Sequence, residues 1–351
     1  MIKILCAAVH LFTAISLSRV VRKNLIIDTD LFSDVDDAGA LLLAATAPHV
    51  NLLAVNVNYP STFSALAASA ILAHYNRADV PIGIRRPLTN NTFFDAWYYE
   101  LGEYASKIAH QWSGGSLPWG HAEKAWDPVA LYRKALSEAD DESVTIASIG
   151  FLDNLSGLLN STADAFSTLP GRQLVEAKVS ELVIMGGGYP FGHSYNFWGS
   201  DPGLAAHVVN TWDGRIVFVG DDVGKFVRTG GLLMANGPRS DPVRKAYICY
   251  TFLQPQSSWD PLTVLYAMNG LGDVFRFGNE YGYNYIEANG SNRWVWDKEA
   301  RKQSFLRLKV DDATAAAEVD RLFLRGALSA RGKPTNDGNR AEYPLQGHWE
   351  L

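Results

Sequence analysis

One stretch near the N-terminus decides both the fold and the chemistry of this chain: Leu25-Ile26-Ile27-Asp28-Thr29-Asp30-Leu31-Phe32-Ser33-Asp34-Val35-Asp36-Asp37. Its apolar start predicts a buried strand over Asn24–Asp28. Its end begins a predicted helix over Asp36–Ala47, with two carboxylates in the first turn, where they suit the helix dipole. A strand that ends in carboxylates and leads into a helix is typical of open α/β sheets, which bind ligands at the carboxyl ends of their strands.

The rest of the chain repeats this alternation of short apolar strands and helices. We predict strands at Asn51–Val57, Val80–Ile84, Ser143–Ile149, Glu181–Met185 and Arg215–Gly220, and helices at Thr62–Asn76, Pro128–Ala139 and Leu152–Ser161. This order predicts an α/β fold with a mostly parallel central sheet and helices on both faces. Beyond about residue 270 we predict a small antiparallel C-terminal extension, with strands at Tyr281–Glu287, Arg293–Trp296 and Ser304–Val310 and a closing helix at Asp312–Leu328.

The composition is that of an ordinary globular protein. The chain has 351 residues, of which 47% are hydrophobic and 19% charged, and its formal net charge is -6. Such a composition excludes disordered, collagen-like and coiled-coil proteins. The mild acidity argues against binding to a nucleic-acid backbone, because such proteins carry a basic surface.

Residues 1–18 have the features of a secretory signal peptide: a positive charge at Lys3, an apolar run over Ile4–Leu17, and small residues at Ser16 and Ser18. A buried N-terminal strand or helix is the alternative. We therefore expect a secreted protein that is not held to a membrane after the signal is removed. Four Asn-x-Ser/Thr sequons add weak support for secretion and glycosylation, at Asn90, Asn154, Asn160 and Asn289.

We expect residues 19–351 to form a single catalytic domain. Within it, residues 88–126 are rich in aromatic residues and glycine. We interpret this segment as an insertion or lid that carries Trp97, Trp112 and Trp119.

Five carboxylates fall within the ten residues from Asp28 to Asp37. Like charges this close raise one another's pKa values, and a bound cation would remove that cost. Because no histidine or cysteine lies nearby, the oxygen-only ligand set indicates Ca²⁺ or Mg²⁺ rather than Zn²⁺. An EF-hand loop is excluded, since Phe32 and Gly39 occupy its fifth and twelfth positions. A solvated run of helix-capping charges is the alternative, although the apolar strand should bury this region.

A phosphatase is a second alternative. The apolar strand with Asp28-Thr-Asp30 resembles the opening motif of haloacid-dehalogenase-like phosphatases, and Phe218-Val-Gly-Asp221-Asp222 resembles their later Gly-Asp motif. Against this, Leu31-Phe32 occupy the place where that family has Gly-Thr. The phosphatase motif also gives no role to Asp36 and Asp37.

A different family accounts for more of the chain. The motif Asp28-Thr-Asp30…Asp36-Asp37-Ala38-Gly-Ala40-Leu resembles the signature of the calcium-dependent nucleoside hydrolases, which include inosine- and uridine-preferring enzymes. Three later segments agree in order and spacing: Ser148-Ile-Gly-Phe-Leu-Asp-Asn154, Val183-Ile-Met-Gly-Gly-Gly-Tyr189 with Asn196 and Asp201-Pro202, and Trp259-Asp260-Pro261. The resemblance spans residues 24–265. It implies a Rossmann-like fold, a Ca²⁺ cofactor and hydrolysis of ribonucleosides to ribose and free base.

The resemblance also implies roles for individual residues. The calcium ligands would be three carboxylates and one backbone carbonyl, those of Asp30, Asp37, Asp260 and Ile149. Asp30 would also take the proton from the metal-bound water. Asp36 and Asn196 would hold ribose hydroxyls.

The chain departs from the family pattern near Asn196. Many members carry a Glu two residues before this Asn, where Ser194 stands here. We therefore consider His193 and Ser194 as the groups that would bind the ribose 5′-hydroxyl. Two extra residues also separate Asp30 from the Asp-Asp pair, which leaves Asp34 without an implied role. The missing Glu keeps a non-enzyme alternative open, a secreted nucleoside- or sugar-binding protein with a degenerate site.

Trp259 bears on substrate preference. It occupies the place where pyrimidine-tolerant members have a His that protonates the base, and a tryptophan cannot donate that proton. The chain is similar here to the purine-specific branch, in which aromatic stacking assists the leaving purine. Trp97 would supply the other face, and packing in a core or lid is the alternative for both residues. We therefore expect a small-molecule ribonucleoside substrate, a preference for purines and a role in purine salvage. A homo-oligomer is an open expectation, since family members are often dimers or tetramers.

Overall fold

The structure is a computed structural model, and it describes residues 22–32, 34–92 and 102–330. The predicted signal peptide and Trp97 lie outside the described residues. Secretion and the role of Trp97 therefore stay predictions.

Eight strands form the central sheet, in the order β10-β13-β7-β5-β4-β1-β2-β3. Their bounds are β1 Lys23–Thr29, β2 Val50–Val57, β3 Ile82–Ile84, β4 Val144–Ser148, β5 Val179–Met185, β7 Ile216–Val219, β10 Phe275–Phe277 and β13 Gln303–Leu308. All neighbours in this sheet pair in parallel except the edge strand β10, which is antiparallel to β13. The predicted mostly parallel sheet is confirmed.

Two small antiparallel sheets accompany the central one. One has the order β11-β12-β6, and the other pairs β8 with β9. The bounds of these strands are β6 Phe191–Gly192, β8 Arg228–Thr229, β9 Gln256–Ser257, β11 Tyr283–Ile286 and β12 Asn292–Val295.

Helices surround the central sheet on both faces. They are α1 Asp36–Thr46, α2 Thr62–His74, α3 Ala105–Gln111, α4 Pro128–Ser137, α5 Asp153–Asn160, α6 Gly171–Lys178, α7 Tyr195–Trp198, α8 Pro202–Thr211, α9 Asp221–Gly224, α10 Gly231–Asn236, α11 Pro242–Thr251, α12 Trp259–Asn269 and α13 Asp312–Ser329, with a 3₁₀ turn at Ala122–Lys124. Where we predicted an element, its ends agree with the structure to within one or two residues.

The alternation within β1 explains why helices cover both faces. Leu25 and Ile27 lie in one hydrophobic core, whereas Ile26 lies in the other. Successive residues of a strand point to opposite faces, so an unbroken apolar run requires cover on both sides. The first core packs against α1, α2, α11, α12 and α13, and the second against α4, α5, α6 and α8.

The predicted place of one C-terminal strand is wrong. We expected Ser304–Val310 in the antiparallel extension, but β13 pairs in parallel with β7 and belongs to the central sheet. The reason is burial, since Phe305 packs in one core and Leu306 in the other. A strand with apolar side chains on both faces is stable only where both faces are covered.

The described part of residues 88–126 packs onto the domain. The indole Nε1 of Trp112 donates to the carbonyl of Ser240 at 3.0 Å, and the backbone N–H of Trp126 donates to Ile82 at 2.9 Å. Trp119 is 60% exposed. Residues 93–101 of the segment lie outside the described residues, so its role as a lid stays a prediction.

Membrane-spanning helices were sought among the described residues. None of the helices there combines the length and the apolar character needed to cross a bilayer.

A close helix contact in the first core leads to a stability prediction. A Cβ atom at Gly39 in α1 would lie 2.5 Å from the Phe323 ring and 2.7 Å from the Tyr247 hydroxyl, both of them buried. We expect Gly39→Ala to lower the free energy of unfolding by about 1–3 kcal/mol, the usual cost of overpacking. Urea denaturation measures this change.

Gly231→Ala is the matched control. Gly231 is the first residue of α10, and a Cβ there meets Pro255 at 3.4 Å, an ordinary contact. We expect this variant to be neutral or slightly stabilised, because alanine lowers the conformational entropy of the unfolded chain. Equal losses in both variants would contradict the packing argument.

Candidate metal centre and substrate site

Three parts of the chain meet at the carboxyl edge of the sheet. Strand β1 ends at Thr29, directly before Asp30. Asp36 and Asp37 lie in the first turn of α1, and Asp260 lies in the first turn of α12, which packs against α1. The topology therefore brings together residues that lie far apart in the sequence. It places them at the carboxyl edge of the sheet, where open α/β proteins bind ligands.

A buried group of carboxylates lies at this edge. One carboxylate oxygen from each of Asp36, Asp37 and Asp260 lies within 4.8 Å of the other two, and all three residues are buried. Asp30 lies close enough for its charge to raise the pKa values of all three. Burial raises the pKa of Asp30 itself to about 7, with further contributions from the charges of Asp34 and Asp28. We call these four carboxylates, Asp30, Asp36, Asp37 and Asp260, the acidic group.

The chemistry of the acidic group fits a divalent cation. Its donors are carboxylate oxygens, the ligands that Ca²⁺ and Mg²⁺ prefer. Burial raises the pKa of each member, and the charges of neighbouring aspartates raise it further. Buried carboxylates this close must either be protonated or be paired with positive charge.

Asp36 has a contact that we did not predict from the sequence. Its Oδ2 accepts hydrogen bonds from the backbone N–H groups of Trp259 at 2.9 Å and of Asp260 at 3.0 Å. These N–H groups belong to the first turn of α12 and have no partner within that helix. Asp36 thereby fixes Asp260 against α1, and its role with ribose stays a prediction.

The loop after β4 positions Asp30. A Cβ atom at Gly150 would lie 2.4 Å from the backbone nitrogen of Asp30 and 2.8 Å from its Oδ1. Residue 150 must therefore be glycine for Asp30 to keep this place. Ile149, whose carbonyl we expected to bind the metal, is bonded through its N–H to the Asp28 carbonyl at 2.7 Å, which places its peptide at the same edge.

Asp28 is a buried hydrogen-bond acceptor that connects several segments, a role that we did not predict from the sequence. It is fully buried, and three side-chain donors contact its carboxylate: Tyr132 at 2.7 Å, Asn58 at 2.6 Å and Asn154 at 3.2 Å. Burial raises the pKa of Asp28 to about 7, and these hydrogen bonds oppose the shift. Because Asn154 is buried and bonded in this way, its sequon is not accessible to a glycan.

Asn196 lies in α7, and its side chain contacts the last residue of β5. Its Nδ2 donates to the carbonyl of Met185 at 3.2 Å, which sets the direction of the amide. His193 is exposed; its ring stacks on Trp198 at a centroid distance of 5.6 Å, and its Nε2 lies 3.2 Å from the Asn289 carbonyl. Asn196 therefore lies at the carboxyl edge, whereas His193 contacts the loop between β11 and β12.

Trp259 and Asp34 border the acidic group. The Trp259 indole Nε1 donates to the carbonyl of Asp221 at 2.8 Å, and its ring packs on Gly224, where a Cβ would lie 2.6 Å from Cδ1. The Asp34 carboxylate accepts from Gln256 Nε2 at 3.1 Å, and its charge raises the pKa of Asp30, Asp36, Asp37 and Asp260. The inserted acid therefore adds to the negative field of the site.

The fold and the acidic group together define an α/β protein with a candidate divalent-metal centre at the carboxyl edge of a parallel sheet. The family model for inosine-uridine preferring nucleoside hydrolases matches residues 25–320. The chain therefore belongs to this family, whose members are hydrolases acting on N-glycosyl bonds. The resemblance found in the sequence is confirmed, and it favours the nucleoside hydrolase over the phosphatase alternative.

Solved structures of nucleoside hydrolases share the fold. A plant nucleoside hydrolase, PpNRh1, is 18% identical, with a TM-score of 0.64 over 86% of this chain and 99% of that chain. A purine-preferring ribonucleoside hydrolase from Gardnerella vaginalis is 14% identical, with a TM-score of 0.66 over 88% and 99%. An inosine-uridine preferring nucleoside hydrolase from Bacillus anthracis is 17% identical, with a TM-score of 0.58 over 87% and 99%. At these identities the likeness shows the fold alone. No curated protein matches the sequence.

The raised pKa values predict how stability depends on pH and metal. Asp30 has an ordinary pKa of 3.8 and a folded-state pKa of about 7, so between these values the folded protein binds more protons than the unfolded chain. Metal-free protein should therefore lose stability as the pH rises from about 4 to about 7. A bound divalent cation offsets this loss, because it favours the ionised carboxylates. We expect a chelator to lower the thermal midpoint much more at pH 8 than at pH 5.

Thermal denaturation with saturating Ca²⁺ or with EDTA, at both pH values, measures this difference. Titrating groups elsewhere act equally in both arms, so the difference between the arms isolates the metal site. A chelator effect of the same size at pH 5 and pH 8 would show that the acidic group is not what binds the metal.

Proposed function

We propose that this protein hydrolyses the N-glycosidic bond of ribonucleosides, with a preference for purines, and that Ca²⁺ is its cofactor. The observation that carries the proposal is the buried acidic group at the carboxyl edge of a nucleoside hydrolase fold. Asp30, Asp37, Asp260 and the Ile149 carbonyl would hold the cation.

The reaction replaces one bond at the sugar. A water oxygen forms a bond to C1′ while the C1′–N bond breaks, and the base leaves with the electron pair of that bond and gains a proton. When bound, the cation supplies positive charge that lowers the pKa of a water molecule and binds the ribose diol. Asp30 accepts the proton that the water loses. This single displacement inverts the configuration at C1′ and needs no covalent sugar-enzyme intermediate.

The residues around the acidic group suit the charge that develops on the sugar. Cleavage of the bond leaves positive charge on the ribose ring, and negative groups held in place beforehand stabilise it. The Gly150 contact holds Asp30 in place, and the hydrogen bonds to α12 hold Asp36 in place. Asp36 and Asn196 would bind ribose hydroxyls.

Trp259 supports the purine preference. Its ring is held by the bond to the Asp221 carbonyl and by Gly224, so it is a fixed surface directly beside Asp260. An aromatic ring stacks better on the larger purine, and an indole N–H is too weak an acid to protonate a pyrimidine. Trp97 would stack on the opposite face of the base.

We also propose that the protein is secreted and takes part in purine salvage from nucleosides outside the cell. The signal-like residues 1–18 support secretion. Three sequons are exposed and suit glycosylation, those at Asn90, Asn160 and Asn289.

An activity screen tests the proposed reaction. Purified protein should release free base from inosine, adenosine and guanosine faster than from uridine and cytidine, and EDTA should abolish this activity until Ca²⁺ is restored. Asp30→Asn should lower kcat by about 10²–10⁴-fold, the range for loss of a general base. Base release is followed by ultraviolet absorbance or chromatography.

Asp222→Asn is the matched control, since it removes an exposed carboxylate, paired with Arg307, that we place neither in the acidic group nor in the reaction. We expect its kcat to stay within about threefold of the wild type. Release of phosphate from p-nitrophenyl phosphate would instead support the phosphatase. Calcium-dependent nucleoside binding without turnover would support the degenerate binding protein. Full activity in Asp30→Asn would reject Asp30 as the base.

Replacing Trp259 tests the stacking argument. We expect Trp259→Ala to lower kcat for inosine about tenfold more than kcat for uridine, because base-aromatic stacking contributes about 1–3 kcal/mol. Trp259→Phe keeps an aromatic ring and should retain most of the purine preference. Equal losses on both substrates in Trp259→Ala would remove stacking as the source of specificity.

A further inference from the structure

Ser194 makes an unexpected contact. It directly precedes α7, a position at which a serine side chain commonly caps the helix. Its hydroxyl makes no capping bond and instead donates to Asp221 Oδ1 at 2.7 Å. Ser194 is 1% exposed, so this bond is a fixed part of the structure.

Asp221 is held by three parts of the site. It follows β7 at the carboxyl edge of the central sheet. Its backbone N–H donates to the Gly187 carbonyl at 2.8 Å, its own carbonyl accepts from the Trp259 indole at 2.8 Å, and its carboxylate accepts from Ser194. An acid with its backbone and one carboxylate oxygen fixed in this way is pre-organised to bind a ligand.

The second carboxylate oxygen of Asp221 is available. In the described part of the chain Oδ2 accepts no hydrogen bond, and Asp221 forms no ion pair. The residue is only partly buried, so a small molecule can reach it. Burial raises the pKa of Asp221 to about 6, and the Ser194 bond opposes this shift. Its neighbour Asp222 differs, because Asp222 is exposed and pairs with Arg307.

Trp259 connects Asp221 to the acidic group. Its backbone N–H bonds to Asp36 and its indole N–H bonds to the Asp221 carbonyl. One tryptophan thus contacts both Asp36 of the acidic group and the backbone of Asp221. A ribose whose diol lies at the acidic group has one further hydroxyl, the primary 5′-hydroxyl on the opposite side of the ring.

We propose that Asp221, positioned by Ser194, accepts a hydrogen bond from the 5′-hydroxyl of the bound nucleoside. This inference rests on the proposed function and adds a specificity-determining residue to it. In this chain the carboxylate comes from the end of β7, whereas many family members carry a Glu at the position of Ser194. A negative group at this place also repels a 5′-phosphate, so nucleosides are bound in preference to nucleotides.

A comparison of inosine with 5′-deoxyinosine tests the inference. The wild type should favour inosine in kcat/KM by about 10- to 100-fold, the range expected for one hydrogen bond to a charged group. Asp221→Asn should lose that factor on inosine and change by less than about threefold on 5′-deoxyinosine. Asp222→Asn is the matched control and should leave both substrates unchanged. If Asp221→Asn fails to fold, Ser194→Ala serves instead and should reduce the discrimination severalfold.

The outcomes separate this inference from the proposed function. Equal losses on the two substrates in Asp221→Asn would show that Asp221 is only structural. A wild type that hydrolyses inosine and 5′-deoxyinosine equally well would also overturn the inference while leaving the proposed function intact. A wild type that hydrolyses neither substrate would overturn both.

Discussion

Repulsion among four buried carboxylates is the constraint on which the rest of this structure depends. Asp30, Asp36, Asp37 and Asp260 are brought to one edge of the sheet, and burial together with the charges of neighbouring aspartates raises the pKa of each. Such a group costs stability unless protons or a cation neutralise it. Proteins keep an arrangement of this kind where it has a use, and binding of a divalent cation beside a ribose is the use that fits both the donors and the family.

The surrounding structure holds this strained group in place by contacts that do not neutralise it. The Thr29 hydroxyl donates to the Asp37 carboxylate, and Asp36 accepts two N–H groups of α12. Asp28 lies deeper, and its hydrogen bonds with Tyr132, Asn58 and Asn154 join β1 to α4 and to the segments after β2 and β4. The acidic group is therefore set on rigid elements, and a bound ion would meet ligands that need little rearrangement.

Sequence patterns predicted those parts of the fold that depend on local alternation. The alternation of apolar strands and helices along the chain predicted the sheet, and the acids after β1 predicted the acidic edge. Helix α12 was missed although it carries Asp260, because it is buried along most of its length and shows no polar face. The position of β13 was predicted wrongly for a related reason. This strand is buried on both faces, and that can be recognised only when both hydrophobic cores are known. The bonds of Asp28 and the Ser194–Asp221 contact join distant segments, and no local pattern reports them.

The Ser194–Asp221 contact shows why matching a family motif residue by residue can mislead. In the sequence alone, Ser194 stands where many family members have a carboxylate, and this difference argues for a degenerate site. In the structure, Ser194 donates to a carboxylate that enters the same region from the end of β7. Binding of a hydroxyl group requires a negatively charged oxygen at the right position in the site. The topology brings the ends of several strands to the carboxyl edge, and more than one of them can supply that oxygen. A lost side chain on one of them can therefore be replaced from another, so the departure at Ser194 is weak evidence against catalysis.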